Sequence, residues 1–261
     1  MYPIHGNKLV GPGGGPGRKR KLPPLTEEQR RFVHLFAMWI TQPDDVSFTE
    51  QKELRKLAQI YFPDKGRADI ARKPVYRGIA VGFKDSYPII DFLNDKPFKL
   101  NRANKRRLFE SWSNTAVMAE HFMGNTWGWQ KKARHPMGIL FSHKFKPKEI
   151  ILHLASDYID KDLGKALDMT IDDYSGGDFL SRKEEDEILT DSYKANIITR
   201  CKNVPKFSLR WKTLNEDDLY TTLMSKLDSF SQQEFEDRIK FMRPDEFIIF
   251  SCHGKKLSIQ D

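Results

Sequence analysis

The chain has 261 residues, of which 39% are hydrophobic and 31% charged, and its formal net charge is +8. This apolar share can fill a core, which excludes a wholly disordered protein, and no apolar run reaches the roughly 18 residues that a membrane-spanning helix needs. Two cysteines cannot build a disulfide framework or a cysteine zinc site, and the N-terminus lacks the apolar stretch of a secretory signal, so we expect a reducing cytosol.

Residues 1–25 are predicted to be a flexible tail. They hold 6 of the 16 glycines and 5 of the 14 prolines, and too few apolar side chains to offset chain entropy. They also carry 5 basic residues and no acidic one, so the rest of the chain has a net charge of only +3. A solvated leader is the plainest interpretation, and a processing site or an electrostatic tether are the alternatives. Residues 26–261 are predicted to form a single domain.

The domain is predicted to start with helices and to continue mainly with strands. Thr26 to Gln29 is a capping box before an apolar helical stripe, and a second helix is expected near 49–62. Further helices are predicted at 86–94, 115–122 and 216–242. Strands are predicted at 75–81, 108–113, 138–142, 149–154, 186–190, 196–200, 206–211 and 247–252. This order is typical of an α+β fold with segregated elements.

Three short segments carry side chains suited to ligand chemistry. They are Tyr76-Arg77-Gly78, Ser111-Trp112-Ser113 and Glu185-Asp186-Glu187, the last leading into the apolar Ile188-Leu189. Side chains two residues apart on a strand lie on the same face. Glu185 and Glu187 are therefore predicted neighbours, and Asp186 is predicted to point away.

In this order and at these separations the segments resemble the arginine–serine–glutamate class of mono-ADP-ribosyltransferases. That class includes bacterial toxins that act on arginine, vertebrate ecto-enzymes and host-modifying enzymes of tailed bacteriophages. The resemblance covers roughly residues 74–200. It implies a catalytic domain with two perpendicular antiparallel sheets around an NAD cleft and helices outside. It also implies transfer of ADP-ribose from NAD to arginine residues of a target protein, with release of nicotinamide.

The resemblance assigns the NAD-binding roles to five residues. Arg77 would hold a phosphate or the adjacent ribose, and Gly78 would let the backbone approach the ligand closely. Ser111 would support the catalytic glutamate and the nicotinamide ribose, with Ser113 as the second hydroxyl. Glu187 would hydrogen-bond a ribose hydroxyl and stabilise the positive charge that develops on the sugar. NAD is a cleaved substrate in this scheme, and no metal is expected because the histidines lack ligand spacing.

The acceptor would be recognised by the residues that precede Glu187. Glu185 would engage the acceptor guanidinium, because a bidentate carboxylate contact selects arginine over lysine. The stretch 174–179 is predicted to be a mobile loop that contacts the target protein. Tyr174 or Phe179 would stack on the guanidinium.

Each segment also has a plainer interpretation. Arg77 is compatible with a surface residue paired to an acid, and Ser111 and Ser113 with capping residues of the next helix. Residues 184–187 are compatible with a solvated acidic turn. The family order of the segments, and the apolar strand that follows the acids, favour the transferase.

The second hypothesis is a non-enzymatic basic protein that binds nucleic acid or belongs to a virion. It would use the tail or residues 96–107, which contain six Lys and Arg within twelve residues, although a solvated helix face is the plainest interpretation there. The transferase hypothesis predicts NAD and a bacterial host protein with an exposed arginine as partners, and no membrane. Its expected location is the host cytoplasm, after packaging in a virion or injection as an effector.

Overall fold

The computed structural model describes residues 23–82, 86–101, 108–125, 135–175, 187–191, 196–215, 217–244 and 246–260. Most of the segment predicted as a tail, residues 1–22, lies outside this description. The last residue of that segment, Leu25, packs against the core, and its carbonyl accepts a 2.8 Å hydrogen bond from Arg30 Nη1. Leu25 therefore belongs with the folded domain.

Helices and strands are named in chain order. The helices are α1 (Glu27–Thr41), α2 (Phe48–Tyr61), α3 (Asp64–Ile70), α4 (Tyr87–Leu93), α5 (Ala116–Glu120), α6 (Lys161–Ser175), α7 (Asp217–Lys226) and α8 (Ser229–Ile239). The strands are β1 (Val75–Val81), β2 (Phe98–Asn101), β3 (Phe109–Ser113), β4 (Met137–His143), β5 (Ile150–His153), β6 (Glu187–Asp191), β7 (Asn196–Thr199), β8 (Lys206–Arg210), β9 (Phe247–His253) and β10 (Lys256–Ile259). The α+β class is confirmed.

The main sheet has eight strands in the order β10-β9-β8-β4-β1-β3-β6-β5, with antiparallel neighbours throughout. Its weakest junction is between β1 and β3, which are paired only at Tyr76 and Ser113 in the described chain. By contrast, β1 pairs with β4 along its whole length, and β3 does so with β6. The sheet thus consists of a five-stranded part and a three-stranded part that meet at one residue pair.

Helix α1 begins at the predicted capping box, and α2 begins at Phe48, one residue before its predicted start. Thr26 and Ser47 are N-caps, and each forms a complete capping box with the residue three positions later. Trp39 of α1 packs edge-on against Phe109 of β3, with ring centroids 5.2 Å apart. On α2, the Gln51 side chain accepts a 2.7 Å hydrogen bond from the Leu108 backbone N–H. The two leading helices therefore pack beside the three-stranded part of the sheet.

Helix α6 occupies a stretch for which no element was predicted. The Asp160 side chain accepts hydrogen bonds from the backbone N–H groups of Asp162 and Leu163, which satisfies two donors of the first turn. Its buried apolar residues recur at helical spacing, and the helix packs against α1. Tyr174 and Ser175 lie in its last turn, so the mobile loop expected from residue 174 does not include these two residues.

Strands β2 and β7 form a separate two-stranded ribbon, with Phe98 opposite Thr199 and Asn101 opposite Asn196. The plain interpretation of residues 96–107 as a solvated helix face is therefore wrong for 98–101, which are extended. Residues 102–107 lie outside the described chain. At the start of the stretch, Lys96 pairs with Asp91 at 2.7 Å.

Aromatic side chains join the sheet to helices α4 and α8. Phe207 of β8 stacks on Phe250 of β9, with ring centroids 5.0 Å apart. Phe92 of α4 and Phe235 of α8 pack against this pair. In the ranges that the structure describes, no helix combines the length and the apolar character needed to cross a membrane.

Candidate functional site

Strands β3 and β6 bring two of the three segments together. Ser113 lies opposite Glu187 in the antiparallel register, and Ser111 lies opposite Leu189. Residues that face each other across antiparallel strands share a face, as do residues two apart on one strand. The two serines and Glu187 therefore lie on one side of the sheet.

Ser111 and Glu187 are in direct contact, because the serine hydroxyl hydrogen-bonds the Glu187 carboxylate. Burial raises the pKa of Glu187 above its ordinary value of 4.5, and this effect dominates. The Ser111 hydrogen bond and the positive charge of Arg77 both lower that pKa, and so favour the ionised carboxylate. Tyr76 lies opposite Ser113, so alternation places Arg77 on the other face of the sheet from the two serines and Glu187, although its charge still acts on the Glu187 carboxylate.

Arg77 also has an acidic partner that the sequence did not suggest. Its Nη1 lies 3.3 Å from Oε2 of Glu110, and the side chains of Arg77 and Glu110 are 30% and 10% exposed. The plainer interpretation, an arginine on a strand paired with an acid, is therefore compatible with the structure. Glu110 was missed because it alternates with Ser111 on β3, and alternation predicts that it points to the opposite face.

Gly78 is required for close packing between protein segments. A Cβ at this position would lie 1.8 Å from the carbonyl oxygen of Ala119 in α5. On the neighbouring strand β4, a Cβ at Gly138 would lie 2.1 Å from the carbonyl oxygen of Met123. Helix α5 and the π-helical turn after it (His121–Asn125) therefore lie directly on β1 and β4. The close approach that Gly78 permits here is to Ala119.

Ser113 is buried at the end of β3 and prepares the turn into α5. Its hydroxyl accepts a hydrogen bond from the Thr115 backbone N–H at 3.3 Å. The N-cap of α5 is Thr115, whose side chain accepts from Met118. The capping interpretation thus describes Ser113 in part, whereas Ser111 bonds to Glu187. Between the two serines, Trp112 packs edge-on against Phe145, with ring centroids 5.0 Å apart.

The predicted acceptor residues are only partly described. Glu185 and Phe179 lie outside the described residues, as does Asp186. Tyr174 is 39% exposed, and its hydroxyl lies 2.5 Å from Nδ1 of His34 on α1. Within the described part of the chain, the Tyr174 ring therefore contacts His34 of helix α1 and not Arg77, Ser111 or Glu187.

A separate cleft lies near the far end of β6. It has a volume of about 350 Å³ and is lined by residues of α2, α3 and β5, including Arg55 and Arg67, and by Lys148 in the turn before β5. Arg55 pairs at 2.7 Å with Asp191, the last residue of β6, whereas Glu187 is the first. Four residues along a strand span about 13 Å. The motif residues do not line this cleft.

The described residues include no group of three His, Cys, Asp or Glu side chains arranged to hold a metal ion. Comparisons of the chain with models of protein families, with curated proteins and with solved structures found no match. The functional interpretation therefore depends on the chemistry of the motif residues.

Proposed function

We propose that this protein is a mono-ADP-ribosyltransferase that transfers ADP-ribose from NAD to arginine residues of a target protein. The observation that carries the proposal is the register of β3 and β6, which places Ser111, Ser113 and Glu187 on one face of the sheet, with the charge of Arg77 acting on the Glu187 carboxylate. The resemblance assigns all four residues to NAD binding, and Glu187 also to cleavage. The two serines and Glu187 lie far apart in the sequence, so their placement on one face is not a consequence of local spacing.

The chemistry needs an ionised carboxylate beside the sugar. Breaking the bond between nicotinamide and C1′ of the ribose develops positive charge on that sugar, and a fixed negative charge stabilises it. Nicotinamide leaves with the bonding electrons, and a guanidinium nitrogen of the acceptor forms the new bond to C1′ and loses a proton. Ser111 would hold Glu187 in position, while Arg77 would bind a phosphate of NAD.

The raised pKa of Glu187 gives this scheme a pH dependence. Only the ionised form stabilises the developing charge, so NAD cleavage should increase as the pH rises through the pKa of Glu187 and then level off. This carboxylate ionises at higher pH than an ordinary glutamate, because burial outweighs the effects of Ser111 and Arg77.

The sheet supports the finer fold assignment. The resemblance implies two sheets around a cleft, and the five-stranded and three-stranded parts meet only at Tyr76 and Ser113 in the described chain. Arg77 and Glu187 belong to different parts, so a ligand that contacts both would lie where the two parts meet. We propose that NAD binds at this junction.

The test is transfer of label from tagged NAD to proteins of a bacterial lysate. We expect labelled bands with the wild type, and at least a hundredfold loss of label with Glu187→Gln, because removing a preorganised charge typically costs that much. Asp191→Asn makes the same chemical change at the other end of β6 and should retain labelling. Glu185→Gln should retain NAD hydrolysis and lose transfer if arginine is the acceptor.

A folded wild-type protein without activity would contradict the proposal. If the folded wild type neither labels the lysate nor releases nicotinamide, the transferase proposal is wrong. The hypothesis of a basic nucleic-acid-binding or virion protein would then be tested by titrating nucleic acid at several salt concentrations. That hypothesis requires affinity to fall steeply with salt and to be unaffected by Glu187→Gln.

A further inference from the structure

The only two cysteines of the chain are in contact. Cys201 Sγ and Cys252 Sγ lie 3.6 Å apart, although the residues are 51 positions apart in the sequence. The sequence alone suggested no pairing, because two cysteines do not form a framework. Here the fold has brought together the one pair that the chain can form.

The backbone around both cysteines is already held in place. Cys201 is the first residue of a short 3-10 turn, Cys201–Asn203. Its backbone carbonyl accepts a hydrogen bond from the Val204 N–H. Cys252 lies on β9, and its backbone N–H donates to the Pro205 carbonyl at 2.9 Å. Sulfur atoms in a disulfide are about 2.05 Å apart, so side-chain rotation and small backbone shifts would close the remaining gap.

The surroundings distinguish the two thiols. Cys201 is buried and Cys252 half-buried. The contact between the two sulfur atoms lowers the pKa of Cys201, whereas the same contact and burial raise the pKa of Cys252. Cys201 is thus the thiol that ionises first, and Cys252 is the protonated partner beside it.

We propose that Cys201 and Cys252 form a dithiol that hydrogen peroxide closes to an intramolecular disulfide. The Cys201 thiolate attacks one peroxide oxygen and breaks the O–O bond, which gives a sulfenic acid and, after proton uptake, water. The Cys252 thiol then attacks that sulfur and releases a second water. Two thiols lose two electrons and two protons, and one peroxide is reduced to two waters.

The disulfide would fasten the ribbon of β2 and β7 to the main sheet. The turn at 201–203 directly follows β7, and Lys202 in this turn pairs with Asp95 at 3.1 Å, just before β2 begins. The start of β2 and the end of β7 therefore both lie near Cys201. A covalent bond to Cys252 would tie this base to β9.

The test is thiol titration and mass analysis of the folded protein before and after treatment with hydrogen peroxide. We expect two free thiols before treatment and none after it, with loss of two hydrogens, a monomer on a non-reducing gel and a linked peptide containing both cysteines. The bond closes a long loop, so the unfolding temperature should rise by several degrees on oxidation and return on reduction.

Single variants provide the controls. Cys201→Ser and Cys252→Ser should each lose the reversible rise in unfolding temperature. If the wild type keeps both thiols under conditions that oxidise the denatured chain, the proposal is overturned. Formation of intermolecular dimers only, or of a stable sulfenic acid without the second step, would overturn it too. The experiment does not involve NAD, so its outcome is independent of the proposed activity.

Discussion

At the scale of single residues, Glu187 is a group whose proposed role conflicts with stability. Its carboxylate is held in a buried environment that disfavours the charge, and Ser111 and Arg77 compensate only in part. Ionisable groups with shifted pKa values are concentrated at functional sites, because catalysis requires pKa values matched to the reaction. Networks of structural ion pairs also shift pKa values. The effect of a Glu187 variant on stability therefore tests what its raised pKa does for the fold.

We expect Glu187→Gln to unfold at a higher temperature than the wild type at pH 7, by roughly 2–5 °C. The folded-state pKa is raised, so the folded protein holds this proton more tightly than the unfolded chain, and ionisation costs folding free energy above the ordinary value of 4.5. The difference in unfolding temperature between the variant and the wild type should shrink as the pH falls through the raised pKa of Glu187. It should vanish below pH 4.5. Thermal unfolding of both proteins at pH 7 and pH 4 measures it. A variant that is less stable at both pH values would contradict this account.

Glu110 shows the limit of reasoning from single strands. Alternation along β3 separates Glu110 from Ser111, and the pairing of Tyr76 with Ser113 places Arg77 on the face of Glu110. Arg77 therefore pairs directly with Glu110, and its charge also acts on the Glu187 carboxylate. The acid that partners Arg77 could be found only once β1 and β3 were placed side by side.

At the scale of elements, most strands and the capped helices could be predicted. Capping boxes and apolar stripes depend on residues a few positions apart, which the sequence displays directly. Strand β10 was missed because it is short and depends on pairing with β9, where Cys252 lies opposite Leu257. The turn between them contains Gly254 at a φ of 68°, a conformation that glycine adopts without cost.

Helix α6 was missed for a related reason. Gly164 and several aspartates lower its intrinsic helix propensity. Its stability comes from burying one apolar stripe against α1, as is usual for helices of this length. The sequence contains the stripe but not the surface that receives it.

The packing of α5 on the sheet gives a prediction about Gly78. Gly78→Ala should destabilise the fold by about 2–4 kcal/mol, because the added methyl group would overlap the Ala119 carbonyl, which is backbone and cannot rotate away. Gly82→Ala just beyond the same strand is the matched control. The nearest atom there is a side-chain nitrogen of His135 at 3.3 Å, so the cost should be much smaller. Urea unfolding of both variants measures the difference, and equal costs would show that α5 moves freely.

At the scale of the whole molecule, one buried arginine joins the leading helices to the sheet. Arg67 is 7% exposed and donates to the Ala58 carbonyl of α2 and to the Ile150 carbonyl of β5. It also pairs with Asp64 at 2.9 Å. Its planar group of five donors satisfies three acceptors in fixed directions, which a lysine cannot do.

We therefore expect Arg67→Lys to lower the free energy of unfolding by about 2–3 kcal/mol, since at least one buried carbonyl loses its donor. Arg72→Lys is the control, because Arg72 forms a solvent-exposed ion pair with Asp69, three residues earlier. This substitution should change the free energy of unfolding by less than about 0.5 kcal/mol. Chemical denaturation compares the two. Similar small effects would mean that water replaces the Arg67 donors.

The sequence by itself determined the α+β class, the order of most elements and the three motifs, because these follow from propensities and periodicities of residues close in the chain. The tertiary structure decided which distant residues meet. The contact of Ser111 with Glu187 depends on the register of β3 and β6, and the pairing of Arg77 with Glu110 on the junction between two parts of the sheet. The contact of Cys201 with Cys252 depends on how a turn packs against β9. Such contacts depend on strand register and packing between segments far apart in the chain, which local pattern does not specify.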